Sequence, residues 1–172
     1  FSREDWDAVW SRVGTGDGRV NLDHPEMLEA LTHLDASPLP APSAEFPFVL
    51  SAGERRTFTA NTVVRDPAWR RKDKDGALYI HPDDARRLNL GDGSRARITT
   101  RRAFAEVLVE VNDRMQPGHV SLPNGQGLDY PGDDGKPERV GVAPNELTSL
   151  DERDEFVGTP WHKFVPARIE AV

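Results

Sequence analysis

Apolar residues recur at two spacings along this chain, and the change between them divides it into three parts. Over residues 2–13 the spacing is helical, and Trp6, Val9, Trp10 and Val13 fall on one face. Ser2 and Asp5 form a capping-box pattern at the start, and Gly14, Gly16 and Gly18 end the segment. A second short helix is expected after Asp23, where Asp23-x-x-Glu26 repeats the cap pattern and Leu28, Leu31 and Leu34 share a stripe. Neither segment is long enough to be a stable helix alone, so each must pack on something. Residues 36–44, ASPLPAPSA, read as a proline-rich linker.

From residue 45 to about 123 the pattern turns to alternation. Residues 46–50 are an apolar strand, and residues 94–100 and 103–111 are two alternating ones. Ala105, Val107, Val109 and Val111 lie on one face of the latter, with Glu106 and Glu110 on the other, and the Arg101-Arg102 step between the two strands predicts a hairpin. Residues 82–88 read as a short helix with Pro82 in its first turn and Asp83 and Asp84 near its positive end. Gly91-Asp92-Gly93 and Pro117-Gly118 are turns, and residues 119–122 are a further short strand. This regular strand–turn spacing favours a barrel or a sandwich. Residues 124–172, rich in Gly, Pro, Asp and Asn, are expected to be loop-dominated and to close with an apolar strand over 164–169.

Composition narrows the function classes. The chain has 172 residues, with 29 acidic against 22 basic, a net charge of -7, which disfavours bulk binding to nucleic acid or anionic membrane. Its lack of cysteine excludes disulfides, thiolate metal sites and a thiol nucleophile within these residues. No apolar run approaches the ~20 residues of a membrane span. The five histidines (His24, His33, His81, His119 and His162) show neither HxH nor HExxH spacing, so no zinc site is expected. The basic run Arg65, Arg70, Arg71, Lys72 and Lys74 is either a solvated loop or a docking surface for another domain. Gly125, Gly127 and Gly132 are expected in a flexible loop, not a phosphate loop, since no Gly-Lys-Ser/Thr ending follows.

The segment richest in candidate chemistry is FPFVLSAGERRTFTANTVVR, residues 46–65. An apolar strand runs into a Ser51-Ala52-Gly53 turn and then into a polar stretch carrying Thr57, Thr59, Asn61 and Thr62. A glycine turn at a strand end lets backbone approach a phosphate or a ring, and short polar side chains supply hydrogen bonds. Three further segments add to it: HPDDARRLNLGDG, MQPGHVSLPNGQG and APNELTS.

In that order the segments resemble the C-terminal domain of the molybdopterin-guanine-dinucleotide oxidoreductases, the family that includes formate dehydrogenases, nitrate reductases and dimethyl sulfoxide reductase. The resemblance covers residues 45–170. It is carried by Ser51-Ala52-Gly53 with Thr57 to Thr62, by His81-Pro82-Asp83-Asp84-Ala85 with Leu88 and Gly91-Asp92-Gly93, by Pro117-Gly118-His119-Val120, by Asn145-Glu146-Leu147-Thr148 and by Pro160-Trp161-His162-Lys163. The chain departs from the family's usual arginine after the turn glycine, having Glu54 followed by Arg55 and Arg56, and its Thr stretch replaces a His-rich version.

The resemblance implies a mainly β fold, a double-psi β-barrel of the aspartate-decarboxylase-like kind with a few short helices and a helical N-terminal appendage. Residues 1–35 are then the end of a preceding region, 36–44 a linker and 45–172 the barrel, within a fragment of a longer polypeptide. The implied cofactor is molybdopterin guanine dinucleotide carrying molybdenum or tungsten. The implied cofactor-binding residues are Ser51, Ala52, Gly53, Phe58, Thr59, Asn61, Thr62, Asn145, Thr148 and Lys163. Gly53 and its neighbours give close backbone approach, Thr59, Asn61 and Thr62 bond pterin or phosphate, Asn145 and Thr148 clamp a heterocycle, and Lys163 pairs with an anionic group; Phe58 serves as core more than as a stacking platform. No catalytic or metal-ligating residue is expected in these residues, and an iron–sulfur cluster is expected only in an N-terminal part of the parent enzyme. The expected partners are the remaining domains and an electron-transfer subunit. The substrate stays open: the parent enzyme resembles formate dehydrogenase or nitrate reductase, the tail and residues 61–73 look like formate-dehydrogenase-like or uncharacterised bacterial members, and cytoplasmic location is expected with the periplasm left open.

Other roles stand beside these. Gly53 also reads as a plain turn glycine, Asn145 as a cap or turn residue, Thr59 and Thr62 as strand residues and Lys163 as a solvated lysine. The alternative function is a stand-alone double-psi barrel acting as a protein-interaction module. A self-processing decarboxylase barrel would use the Gly93-Ser94 pair, which here follows a Gly-Asp turn.

Overall fold

A computed structural model of the chain describes residues 5–33, 42–54, 66 and 75–172. Two compact units are present, Phe1–Leu39 and Pro40–Val172. In the first, Trp6–Arg12 forms a 3-10 helix in place of the expected α-helix, and Pro25–Thr32 forms α1. Ser2, the expected start of the first capping box, lies outside the described residues, and the second box, at Asp23, does not operate. The residue before the first helix, Asp5, makes no side-chain cap bond, and α1 starts behind His24 because Pro25, with its preset φ, occupies the first turn.

In the second unit the alternating segments become strands close to where the pattern puts them. They are β1 (Phe48–Glu54), β3 (Arg95–Thr100), β4 (Phe104–Val111), β5 (His119–Pro123) and β8 (Val165–Ala171). The helix α2 spans Pro82–Arg87. Three short strands have no counterpart in the pattern: β2 (Leu78–Ile80) and the pair β6 (Asp129–Pro131) and β7 (Pro137–Arg139). β2 is too short to show a period and exists because β4 and β5 each present it an edge.

Six strands close into a barrel in the order β1-β5-β2-β4-β3-β8. β1 runs parallel to β5 and β2 parallel to β4, while every other neighbouring pair is antiparallel. Chain neighbours are thus mostly separated in space, as interleaved crossovers of a double-psi barrel require. The interior is apolar: Phe48, Leu50, Leu78, Ile80, Ile98, Val109, Val120 and Leu122 are fully buried. Each such side chain contributes about 1.5–3 kcal/mol relative to exposure. The alternation in β4 is met, since Val107 and Val109 are buried and Ala105 and Val111 pack against the core.

These directions sort the connections to two rims. The C-terminal ends of β1, β3 and β5 and the N-terminal ends of β2, β4 and β8 meet at one rim. The other rim carries α2, the Gly91-Asp92-Gly93 turn and the β4–β5 connection. There, Asp84 is buried; its Oδ2 accepts the Gly118 N–H at 2.6 Å and its Oδ1 accepts Arg87 Nη2 at 2.8 Å. The carboxylate therefore ties α2 to the turn before β5. Replacing Asp84 with Ala strands a partly buried N–H and is expected to cost about 2–3 kcal/mol, read as a lower urea midpoint; an unchanged midpoint would refute this tie. Among the described residues no helix is long and apolar enough to cross a membrane.

Candidate functional site

The first rim gathers the polar segments that the sequence singles out. β1 does not end in a turn at Ser51-Ala52-Gly53, as expected; it continues through them. Its pairing with β5 shifts between Ala52 and Glu54, so Gly53 is the extra residue of a β-bulge, with φ of +80°. A bulge bends the strand and turns its end toward the rim, and glycine adopts this conformation without a Cβ penalty. A Cβ added here would stand 2.5 Å from Asn124 Oδ1, so the Asn124 side chain lies against the glycine.

Lys163 reaches the same point from the segment before β8. Its Nζ donates to the Gly53 carbonyl at 3.3 Å, leaving other N–H groups of the exposed ammonium for a further acceptor. The adjacent His162 carbonyl accepts the Ala52 N–H at 2.6 Å. Ser51 is half-buried and Ala52 buried beneath them. Residues 162–163 are thus stitched to the bulge across the whole length of the domain.

Asn145 and Thr148 come to the rim by another route. Pro144–Glu146 is a 3-10 turn that packs against β1, and Leu147 behind it is buried in the core. Asn145 is not the turn's cap, which is Ala143. Its side chain is exposed and makes no hydrogen bond among the described residues. Thr148 is only 6% exposed, and its carbonyl is bonded by Arg102. Phe58, Thr59, Asn61 and Thr62 lie outside the described residues, as do Arg65, Arg70, Arg71, Lys72 and Lys74 of the basic run.

Three features of the rim are not legible as site residues in the sequence. Asn124 sits beside Gly53, and its only signal is its place between a strand end and two glycines. Gln126 is buried between Gly76 and Gly141, either of which would collide with it through a Cβ, at 2.6 and 2.8 Å. Gly127 is buried with φ of +73°, and its N–H donates to the Val140 carbonyl at 2.8 Å. The expected flexible glycine loop is therefore in part a packed element at 126–127, because the backbone of 140–143 lies directly on it.

The donor set is one ammonium, two side-chain amides and a bulged backbone. Such groups suit a ligand with an anionic linker and a heterocycle: the ammonium takes the charge and amides match donor and acceptor edges of a ring. A dinucleotide-type cofactor fits these residues. Among the described residues no group of three or more His, Asp or Glu side chains is gathered as for a metal ion.

Comparison with known proteins agrees with this chemistry. The family described as the molydopterin dinucleotide binding domain matches residues 48–166. A protein of Halobacterium salinarum, named for the catalytic chain of a dimethyl sulfoxide reductase, is 30% identical over 109 residues, covering 63% of this chain and 12% of that protein. Among solved structures, the acetylene hydratase from Pelobacter acetylenicus superposes with a TM-score of 0.65 at 19% identity, covering 92% of this chain and 24% of that one. That likeness bears on the fold, and it agrees with the double-psi barrel. The chain thus spans a small fraction of the length of either relative.

Proposed function

The chain belongs to the molydopterin dinucleotide binding domain family, and from that premise we propose that its Gly53 rim holds the guanine dinucleotide and pterin of a molybdenum or tungsten cofactor in a larger oxidoreductase. One observation carries the proposal: the Gly53 bulge, the Lys163 ammonium and the Asn145 amide, unbonded among the described residues, stand on one rim although they are far apart in sequence.

When bound, the cofactor's metal supplies two-electron redox chemistry, and the protein supplies position and electrostatics. Gly53 lets the cofactor approach the backbone. Lys163 offers its remaining N–H groups to the pyrophosphate while Gly53 holds it in place. Asn145 presents an amide to the edge of the guanine, with Thr148 beside it. Asn124 is added to the contacts expected from sequence.

The rest of the polypeptide is proposed to meet this domain at the same rim. Leu150, Phe156, Val157 and Trp161 are exposed on the segment between Asn145 and Lys163, and relatives of the chain are several times longer. An iron–sulfur cluster and an electron-transfer subunit, if the parent resembles formate dehydrogenase or nitrate reductase, belong to those other parts. No observation favours the stand-alone interaction module.

Replacing Asn145 with Ala in the enzyme that carries this domain is expected to lower cofactor retention severalfold, measured as metal and guanine released per protein on denaturation. In the chain itself, GDP should shift the amide resonances of Gly53, Asn124 and Asn145 together. Normal metal content in the variant, with no clustered shifts, would reject the proposal.

A further inference from the structure

The β3–β4 hairpin makes an unusual set of bonds for a surface turn. Three successive residues reach into the segment that carries Asn145. Thr100, buried in the rim, donates its hydroxyl to the Leu147 carbonyl at 2.9 Å. Arg102 Nη1 donates to the Asn145 carbonyl at 3.0 Å and also to the Thr148 carbonyl. Arg101 Nη1 pairs with Glu152 Oε1 at 3.1 Å. The hairpin is itself braced, because the Thr100 hydroxyl oxygen accepts the Arg102 N–H at 3.3 Å.

The acceptors are the ones a short turn leaves unsatisfied. A 3-10 turn of three residues bonds few of its own carbonyls, and those of Asn145, Leu147 and Thr148 are taken up from outside. One guanidinium bridging two carbonyls fixes both the separation and the orientation of the backbone between them. Asn145 needs such support, since its own side chain bonds nothing among the described residues.

We propose that Arg102 is a positioning residue: it acts on the ligand through Asn145, by holding the 145–148 backbone against the rim, and does not itself touch the ligand. This rests on the assignment of Asn145 as a ligand contact, and it adds a residue outside the motifs that carry the resemblance. It makes a specific demand on substitution. Both bonds leave one nitrogen, Nη1, whose two N–H groups are held in the guanidinium plane, whereas a lysine ammonium carries rotatable donors on a flexible stem and holds the two carbonyls less firmly.

The test uses the full chain and GDP as the probe, with Arg102→Ala, Arg102→Lys, Asn145→Ala and the double variant. Amide exchange at residues 147–152 should quicken about tenfold or more in Arg102→Ala, by an intermediate amount in Arg102→Lys, and not at all in the strands β1 and β5. GDP binding should weaken about tenfold in Arg102→Ala. In the Asn145→Ala background the same change should cost far less, about threefold at most, because only Thr148 is left on the segment to carry its effect. Additive losses would mean that Arg102 contacts the ligand directly, overturning the proposal. Unchanged exchange at 147–152 would overturn it too. If Asn145→Ala alone leaves GDP binding intact while Arg102→Ala still frees the segment, the assignment of Asn145 fails, and with it the positioning role, and the hairpin serves only to fold the segment.

Discussion

Replacing Gly127 with alanine is expected to lower the stability of the barrel by about 3–5 kcal/mol. Two costs combine. The residue has φ of +73°, where an L side chain is strained. The added Cβ would also fall onto the Ala143 amide nitrogen and stand 2.7 Å from the Val142 carbonyl carbon. These are backbone atoms, so no rotamer change relieves the overlap. The 140–143 segment must move, and Val142, which belongs to the core, moves with it. For a domain of this size the melting midpoint should fall by roughly 10 °C. Gly135→Ala separates the two costs. Gly135 has φ of +76° but no atom within 4 Å of the added Cβ, so only strain of about 1–2 kcal/mol is expected there. Equal losses at the two positions would show that the packing at Gly127 is unimportant. No loss at Gly127 would reject the close approach altogether.

The second large effect is on ligand binding. Replacing Gly53 with valine is expected to weaken GDP binding by about tenfold or more, with a stability loss of about 2–3 kcal/mol. A β-branched residue does not tolerate φ of +80°, and its Cβ would displace Asn124. The bulge then flattens or shifts, and the Gly53 carbonyl leaves the Lys163 ammonium. Binding and stability are both read in one set of titrations on the chain. Asn124→Ala separates the contributions: it removes the neighbour while leaving the bulge intact, so a smaller loss of binding is expected. If Gly53→Val binds GDP as the parent chain does, Gly53 is a structural glycine only, and the rim's ligand contacts lie elsewhere.

These two glycines differ in how legible they are. Gly53 stands out in sequence because it follows an apolar strand and precedes a polar stretch. Its conformation does not: a turn and a bulge have the same local signature, and the difference depends on whether β5 continues alongside. It does, as far as Pro123, so the strand runs on and the glycine is absorbed as an extra residue. Gly127 reads as loop flexibility because a run of Gly, Asn and Asp is polar and non-periodic. What packs it is a segment 15 residues later, whose position no local pattern states.

By itself the sequence determined where most of the barrel's strands lie and where α2 begins. Alternation is a property of neighbouring residues, and the pairing of Pro82 with acidic residues in a first turn is equally local, so both survive into the structure. The order of motifs pointed to the family. The tertiary structure alone decided the strand order, the existence of β2 and the choice between turn and bulge. It alone brought the site together: Lys163 to Gly53 and Arg102 to the Asn145 segment are contacts between residues 110 and 43 positions apart. The physical reason is that a barrel closes through parallel and crossing connections. Which rim a segment reaches depends on the direction of every strand around the barrel, and that is settled only when the whole core has been buried.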